Sequence, residues 1–224
     1  VLAVTWPRLV QAFHAPQDGA LDIYVLSKSD WSRLPPFYSD LAGIPYSLIG
    51  EDAVVIPTQD MPQSRFYGLW ASLGYAPRET LSAKEFYLRF VTPLLIHELA
   101  HVAIASAFEQ TETEIRLSWG LNETMANIGL ALATERQSYS WPFYLSTHQA
   151  LLQIASDKTK SSLAMLMKEP FREGPAVYSL FQARSLDFVD RISQSIPRAE
   201  LVRIFGLLKN SHSKTLDAEF AYSL

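Results

Sequence analysis

The sequence predicts an α+β fold, in which a small N-terminal mixed sheet with helices is followed by a mainly helical part. Before residue 80, short runs of β-forming residues alternate with Gly and Pro; after it, apolar residues recur at helical spacing over long segments. We therefore divide the chain into a small α/β part, 1–80, and a helical part, 81–224. We expect the two parts to share a core and to form one continuous domain.

Two strands are predicted in the first part. Residues 21–26 are rich in β-forming residues and begin with an apolar and polar alternation, and residues 53–57 form a short apolar run. Pro57 ends the second run, and its missing N–H suits a strand end or the edge of a sheet. Turn-forming residues fill 28–36, and Pro and Gly interrupt 60–77, which we expect to be irregular.

From Ser82 onward the chain is predicted to be helical. Ser82 and Glu85 have the spacing of a capping box, in which each side chain bonds the other residue's backbone N–H. Pro93 indicates a restart or a kink, because proline fits the first turn of a helix and disrupts later turns. A strongly apolar helix is predicted over 93–108 and another over 121–136. Further helices are expected over 146–156, 160–168, 175–193 and 198–209.

Composition excludes several classes of protein. The chain has 224 residues, 48% of them hydrophobic, and a chain of this length buries roughly 70% of its unfolded surface without disulfides. Its net charge of −4 and the absence of a basic run make a nucleic-acid partner unexpected. It has no Cys, which excludes disulfides, thiolate nucleophiles and Cys-based zinc sites. No apolar stretch reaches the roughly 18–20 residues of a membrane span, so we expect no transmembrane segment.

The apolar helix over 93–108 carries the motif His97-Glu98-Leu99-Ala100-His101. Residues four apart share a helix face, so both imidazoles can point at one metal ion, while Glu98 can accept a proton from a water beside it. The alternative is a helix that carries two histidines and an acid by chance. The helix is apolar nearly all round and should be buried, and buried imidazoles are costly unless they are paired or bind a metal. A metal site is therefore predicted.

Catalytic zinc usually has three protein ligands, so the site needs a third. The longer motif with a third histidine is excluded, because Ile104 and Ala107 occupy the positions where it requires a glycine and that histidine. Glu123 is the best choice, because it opens a second apolar helix whose first turns could face His97 and His101. It could equally be an ordinary first-turn acid that the helix dipole favours. The rivals are Glu109, Glu112 and Glu114, of which the last two lie in a polar connector.

The combination of His97-Glu98-x-x-His101 with Asn122-Glu123-x-x-Ala126 resembles the gluzincin metallopeptidases, the clan of the thermolysin-like and aminopeptidase-type enzymes. The detailed motif identity covers about 94–127. The resemblance implies a zincin-like catalytic architecture and one Zn²⁺ per chain, held by His97, His101 and Glu123. It also implies that the strand around Val54–Ile56 is the sheet edge along which an extended peptide would pair.

The same resemblance assigns roles to further residues. Glu98 would take a proton from the attacking water and pass it to the leaving amine. Tyr178, early in a predicted helix, would stabilise the oxyanion, with His148 as the reserve choice; a packing role for Tyr178 and an exposed helix position for His148 are the alternatives. Asn127 stands where thermolysin-like members carry an acid, so it either accepts a hydrogen bond from His97 or is an ordinary helix-surface residue.

The predicted function is zinc-dependent hydrolysis of peptide bonds, with a peptide or protein as the substrate. Internal cleavage is favoured because the G-x-M-E-N segment of aminopeptidases in this clan is missing. The alternatives are a catalytically inactive metal-bound binding or regulatory domain and a helical protein without metal. A serine triad built on Ser185 and Asp187 lacks a nucleophile-elbow pattern. Because the chain begins at Val1, we expect that a segment was removed, and because such enzymes are often exported a secreted or periplasmic location is preferred.

Overall fold

The computed structural model describes residues 2–16, 21–34, 43–48, 52–59, 62–72, 74–77, 80–109, 116–117, 119–134, 140–156, 175–209 and 215–216. The helices are α1 (Leu2–Phe13), α2 (Lys28–Trp31), α3 (Pro62–Ser72), α4 (Ala83–Phe86), α5 (Thr92–Glu109), α6 (Trp119–Ala133), α7 (Ser140–Ser156), α8 (Pro175–Ser195) and α9 (Arg198–Lys209), and a π-helical stretch, Tyr87–Val91, joins α4 to α5. The strands are β1 (Asp22–Leu26), β2 (Tyr46–Leu48), β3 (Ala53–Pro57), β4 (Arg116–Leu117) and β5 (Thr215–Leu216).

The described residues form a small mixed sheet and a larger helical part, which confirms the predicted α+β class. The three-stranded sheet has the order β1-β3-β2, with β1 parallel and β2 antiparallel to β3. A parallel pair, β4 and β5, forms a second sheet of two residues per strand. The strand predicted over 21–26 is confirmed as Asp22–Leu26.

The strand predicted over 53–57 is confirmed, but its predicted place at the sheet edge is wrong. It is the central strand, and all five of its residues are buried. Pro57 does not prevent this, because it ends the strand and the next N–H, that of Thr58, donates to the carbonyl of Leu26. A proline in the last position of a strand is therefore compatible with pairing on both sides. The edge beside the helices is β2, which the sequence analysis did not anticipate.

Three helices in the first part were missed: α1, α3 and the four-residue α2, which lies where turns were expected over 28–36. The expectation of irregular structure over 60–77 is wrong for α3, and no element was predicted where α1 lies. In α3, Phe66 and Trp70 are one turn apart, and both rings contact Phe86 and Phe90 with centroids 4.7–6.3 Å apart. This aromatic cluster stabilises a helix whose Gly and Pro content indicated a loop. The helix predicted over 160–168 lies outside the described residues.

The capping box is confirmed, and the break predicted at Pro93 corresponds to the π-helical stretch that precedes it. The Ser82 hydroxyl accepts from the Glu85 N–H, and the Glu85 carboxylate accepts from the Ser82 N–H. The π-helical stretch ends at Val91, two residues before Pro93, and the Thr92 N–H donates to the carbonyl of Tyr87, five residues back. A wider turn at this point accommodates a ring that cannot donate a hydrogen bond. The chain thus passes from α4 to α5 without leaving the helix.

Among the described residues, one helix, Ala83–Phe108, is long and apolar enough to cross a bilayer by length and composition. Its most apolar window has a mean hydropathy of 1.4, and 72% of that window is buried inside the fold. Packing by neighbouring elements is sufficient to explain this composition. The absence of a transmembrane segment stays a prediction.

Close packing of α5 against α6 sets the position of the candidate site. Gly129 on α6 faces Ala100 on α5, and a Cβ at Gly129 would lie 2.7 Å from the Ala100 Cβ and 2.8 Å from the Phe13 ring of α1. Such a short separation is possible only without a side chain. It brings the N-terminal half of α6 beside the segment of α5 that carries the two histidines, and α8 packs against α6 and α7 on the other side.

Candidate metal centre

The two histidines of α5 converge on one point. His97 and His101 are one helical turn apart, and only 2% and 5% of their surfaces are exposed. Their Nε2 atoms are 3.1 Å apart, and the ring planes are nearly perpendicular, at 88°. The shared helix face that the sequence predicted therefore brings both Nε2 atoms together.

Glu123 of α6 completes a triangle with the two imidazoles. Its Oε2 lies 3.2 Å from Nε2 of His97 and its Oε1 lies 3.3 Å from Nε2 of His101. The carboxylate is buried, with 7% of the residue exposed. The structure thus brings together the three residues that the sequence analysis chose as ligands. The side chain of Glu109 is not among those described, and Glu112 and Glu114 lie outside the described residues.

The dimensions and chemistry of this triangle fit a tetrahedral zinc ion. Zinc bonds of about 2.0–2.1 Å at the tetrahedral angle hold neighbouring ligand atoms about 3.3–3.4 Å apart. The two Nε2 atoms are 3.1 Å apart, and each lies 3.2 or 3.3 Å from a different oxygen of the Glu123 carboxylate, so the spacing is close to this value. Two imidazole nitrogens and a carboxylate oxygen are also a donor set that zinc accepts, and within the described part of the chain these three ligands would leave a fourth position open. The residues present therefore fit the metal that the resemblance implies.

The buried acid and one of the buried histidines of the site form a charged pair. Burial alone would raise the pKa of Glu123, but the adjacent His101 holds the pKa of this carboxyl well below its usual range. Burial likewise acts to lower the pKa of His101, and the Glu123 carboxylate outweighs this effect and raises that pKa to about 9. Glu123 is thus a buried carboxylate that stays ionised because a positive partner lies beside it.

Glu98 lies just outside the triangle. One of its carboxylate oxygens and one ring nitrogen each of His97 and His101 lie within 4.8 Å of one another. Its Oε2 accepts a hydrogen bond of 2.8 Å from the backbone N–H of Ser47 on β2. The residue is partly exposed, unlike the two histidines. This is a suitable position for a carboxylate that exchanges a proton with a water molecule beside the ligands.

The second nitrogen of each imidazole is held by an asparagine of α6. Asn127 Oδ1 lies 2.9 Å from Nδ1 of His97, and Asn122 Oδ1 lies 3.2 Å from Nδ1 of His101. An amide oxygen only accepts, so each Nδ1 carries a proton, and a metal ion bound in the triangle would take the place of any proton on Nε2. Of the two alternatives for Asn127, the structure shows the contact with His97. Asn122 was not recognised, although it is the first residue of the N-E-x-x-A segment.

Three residues of α8 form a layer behind Glu123 and Asn127. Gln182 Nε2 donates to Glu123 Oε2, and also to the phenol oxygen of Tyr178 at 2.8 Å. Asn127 Nδ2 donates to Gln182 Oε1 at 3.0 Å and to Ser185 Oγ at 2.9 Å. Gln182 was not predicted from the sequence. The spacing of Tyr178, Gln182 and Ser185 along one helix face could have revealed the group.

Ser185 and Asp187 do not form a catalytic pair. Ser185 is fully buried and bonds Asn127, whereas Asp187 lies 2.8 Å from the guanidinium of Arg191. The serine triad considered from the sequence therefore receives no support, and Ser185 belongs to the surroundings of the candidate metal ligands.

Tyr178 and His148 differ in what they can donate. Burial raises the pKa of Tyr178 well above its usual value, so its phenol keeps the proton over the neutral range. Burial lowers the pKa of His148 to about 4, so this ring is neutral. Its Nδ1 lies 2.8 Å from the carbonyl of Tyr144, which can only accept. The His148 proton is therefore on Nδ1, and Nε2 cannot donate to an oxyanion.

Comparisons with protein-family models, with curated proteins and with solved structures find no match for this chain. The case for a function consequently depends on the geometry of the site and on the motif that supplies its residues.

Proposed function

We propose that this protein is a zinc-dependent peptidase that hydrolyses internal peptide bonds. The observation that carries the proposal is the triangle of His97, His101 and Glu123, with ligand atoms 3.1–3.3 Å apart and the Glu98 carboxylate beside it. A structural zinc site needs four protein ligands and no adjacent base. Three ligands and a partly exposed carboxylate are the arrangement of a hydrolytic site.

His97, His101 and Glu123 would hold the ion, which when bound supplies Lewis acidity toward a water molecule and a peptide carbonyl. Glu98 accepts the proton of the attacking water and delivers it to the leaving amine, acting first as a base and then as an acid. The Ser47 N–H fixes one oxygen of that carboxylate. Tyr178, whose phenol is protonated, donates toward the oxyanion that forms at the carbonyl.

The substrate is proposed to be an extended peptide that pairs with β2. This strand is an edge of the three-stranded sheet, and at Ser47 its backbone contacts the proposed base. A peptide added along this edge would place its backbone near Glu98, and at Ser47 it would bond the carbonyl, because the Ser47 N–H already donates to Glu98. Internal cleavage remains the preferred specificity, because the sequence lacks the aminopeptidase segment that binds a free amino terminus.

The test compares the wild-type protein with Glu98→Gln. Metal analysis is expected to find about one zinc per chain in both proteins, because Glu98 is not one of the three ligands. Peptide cleavage, followed by mass spectrometry on a mixed peptide library, should fall by about 10²- to 10⁴-fold in the variant, which is the usual contribution of a general base. Equal cleavage by both proteins would refute the assignment of Glu98.

A wild-type protein that binds zinc tightly and cleaves nothing in the library would instead support the alternative, a catalytically inactive domain that binds or regulates. A wild-type protein that binds no zinc after reconstitution would exclude both metal-dependent functions.

A further inference from the structure

We propose that Gln182 is a positioning residue, which joins the proposed ligands His97 and Glu123 through one chain of hydrogen bonds with a fixed direction. The chain runs from His97 to Asn127 and from Asn127 to Gln182, and it ends on Glu123 and Tyr178. The inference rests on the proposed function in that it treats His97 and Glu123 as zinc ligands.

The direction follows from the donors and acceptors. With Nε2 of His97 facing the triangle, Nδ1 carries the proton and donates to Asn127 Oδ1. The amide nitrogen of Asn127 must then point the other way, and it donates to Gln182 Oε1 at 3.0 Å. This contact fixes the Gln182 side chain so that its nitrogen donates both to Glu123 Oε2 and to Tyr178 Oη.

Because these side chains are buried, reversing the donor-to-acceptor direction of their hydrogen bonds would cost free energy. Asn127 is 1% exposed, Gln182 is 9% exposed and Glu123 is 7% exposed, so water has little access to replace a lost partner. Ser185, the second acceptor of Asn127, can rotate its hydroxyl and become a donor, but an amide can exchange its donor and acceptor only by turning over. A reversed Gln182 would direct its carbonyl oxygen at the Glu123 carboxylate.

This chain of hydrogen bonds predicts an effect of Asn127→Asp on metal binding that is opposite to the one that the family resemblance suggests. Thermolysin-like members carry an acid at the position of Asn127, so the resemblance alone predicts that Asn127→Asp is neutral or favourable for the metal. In this protein an aspartate at that position would present only acceptors to Gln182 Oε1. Gln182 must then either face another acceptor or turn its oxygen to Glu123, and both outcomes disturb the ligand triangle.

The experiment is a double-mutant cycle on the full chain with Asn127→Asp, Gln182→Met and the two changes combined. Zinc affinity is measured by chelator competition at pH 8, and the visible spectrum of the Co²⁺-substituted protein reports the geometry of the ligands. Asn127→Asp is expected to weaken zinc binding by about 10- to 100-fold, the usual effect of changing a partner of a metal ligand. Gln182→Met should also weaken it, because Glu123 loses its donor. In the Gln182→Met background, Asn127→Asp should cause no further loss.

Gln194 of the same helix is the control, because it is exposed and its amide bonds only Asp190 among the contacts that the structure shows for it. Gln194→Met should leave zinc affinity and the cobalt spectrum unchanged. If Asn127→Asp does not fold, zinc affinity is compared between Gln182→Met and the double variant. Neither variant places two hydrogen-bond acceptors against each other at residues 127 and 182, so this comparison still decides whether the two residues act together.

The outcomes separate this inference from the proposed function. Equal zinc affinity in the wild type, Asn127→Asp and Gln182→Met would overturn the role of Gln182 and leave the peptidase proposal intact. If the double-mutant cycle gives the expected zinc affinities but the protein cleaves no peptide, the role of Gln182 is supported and the peptidase proposal is refuted. Additive losses in the double variant would show that residues 127 and 182 act independently, against the proposal.

Discussion

The backbone N–H of Ser47 donates to Glu98 Oε2 across 2.8 Å, which ties the edge strand β2 to the helix α5. The two residues are 51 positions apart in the chain. Because this N–H is directed at Glu98, it does not take part in the pairing of β2 with β3. The sheet therefore contributes a backbone donor to the proposed base, and the small α/β part is linked directly to the candidate site.

Removing this donor should impair the proposed base without affecting the metal. Ser47→Pro deletes the N–H and loses no hydrogen bond of the sheet, since the bond of this N–H goes to Glu98. Without this donor the carboxylate is less well positioned, and misplacing a catalytic group can cost about 100-fold, so we expect kcat to fall by up to that factor. Steady-state kinetics on a cleaved peptide would measure this, with zinc content determined in parallel.

Ser47→Ala is the matched control, because it removes the hydroxyl and keeps the N–H. It should retain nearly all of the activity. A kcat that falls equally in Ser47→Ala and Ser47→Pro would show that the backbone donor has no special part.

Tyr178→Phe should slow turnover and spare zinc binding. The phenol keeps its proton at neutral pH because burial raises its pKa, and it is the donor that we propose for the oxyanion. Removing one such donor costs about 10²- to 10³-fold in kcat in well-studied hydrolases. The measurement is kcat and KM for the same peptide, together with zinc affinity by chelator competition.

His148→Gln provides the comparison for Tyr178→Phe. The His148 proton is on Nδ1, directed at the carbonyl of Tyr144, so this ring is not a donor to the oxyanion. We expect a change in kcat much smaller than that of Tyr178→Phe. A larger loss in His148→Gln than in Tyr178→Phe would reverse the two assignments.

If the proposed site binds zinc, removing the ion should destabilise the protein, because the proposed ligands are buried and a bound ion stabilises only the folded state. With free zinc at about 100 times its dissociation constant, the added stability is about 2.7 kcal/mol. Thermal unfolding in the presence of zinc and after treatment with a chelator measures the difference. Glu123→Gln should abolish the zinc-dependent shift in Tm, since an amide replaces the ligand carboxylate. An identical Tm with zinc and with chelator in the wild type would contradict the site.

The grouping of the proposed ligands was predictable from the sequence because most of its parts are local. His97, Glu98 and His101 lie on one helical turn, so their relation follows from helix geometry alone. Glu123 required a second step, the pairing of two apolar helices, which the motif resemblance supplied. Gln182 could not be reached in this way, because its partners lie 55 and 59 positions away and depend on how α8 packs on α6.

The same difference between local patterns and contacts of distant residues explains which parts of the fold were predicted wrongly from the sequence. The capping box of Ser82 and Glu85 is a local pattern, and it was predicted correctly. The position of β3 within the sheet depends on β2, a strand of three residues that was not recognised. The helix α3 is stabilised by contacts of Phe66 and Trp70 with a later helix, and these contacts outweigh the Gly and Pro signals of its own sequence.

Gly129→Ala tests whether close packing of α5 and α6 maintains the candidate site. The added methyl group would lie 2.7 Å from the Ala100 Cβ and 2.8 Å from the Phe13 ring, so the helices must separate or the ring must move. Overpacking of this kind costs about 1–3 kcal/mol of folding free energy. Since Glu123 is on α6 and both histidines are on α5, zinc affinity should fall as well.

Gly68→Ala is the opposite case, because nothing lies within 4 Å of a Cβ at that position of α3. Alanine is a better helix former than glycine, so this variant should gain about 0.5–1 kcal/mol and keep its zinc affinity. Urea unfolding of the two variants gives the stabilities, and chelator competition gives the affinities. If Gly129→Ala lost stability but bound zinc as tightly as the wild type, the ligand triangle would be independent of the α5–α6 contact at Gly129, and local packing around Glu123 would have to hold it instead.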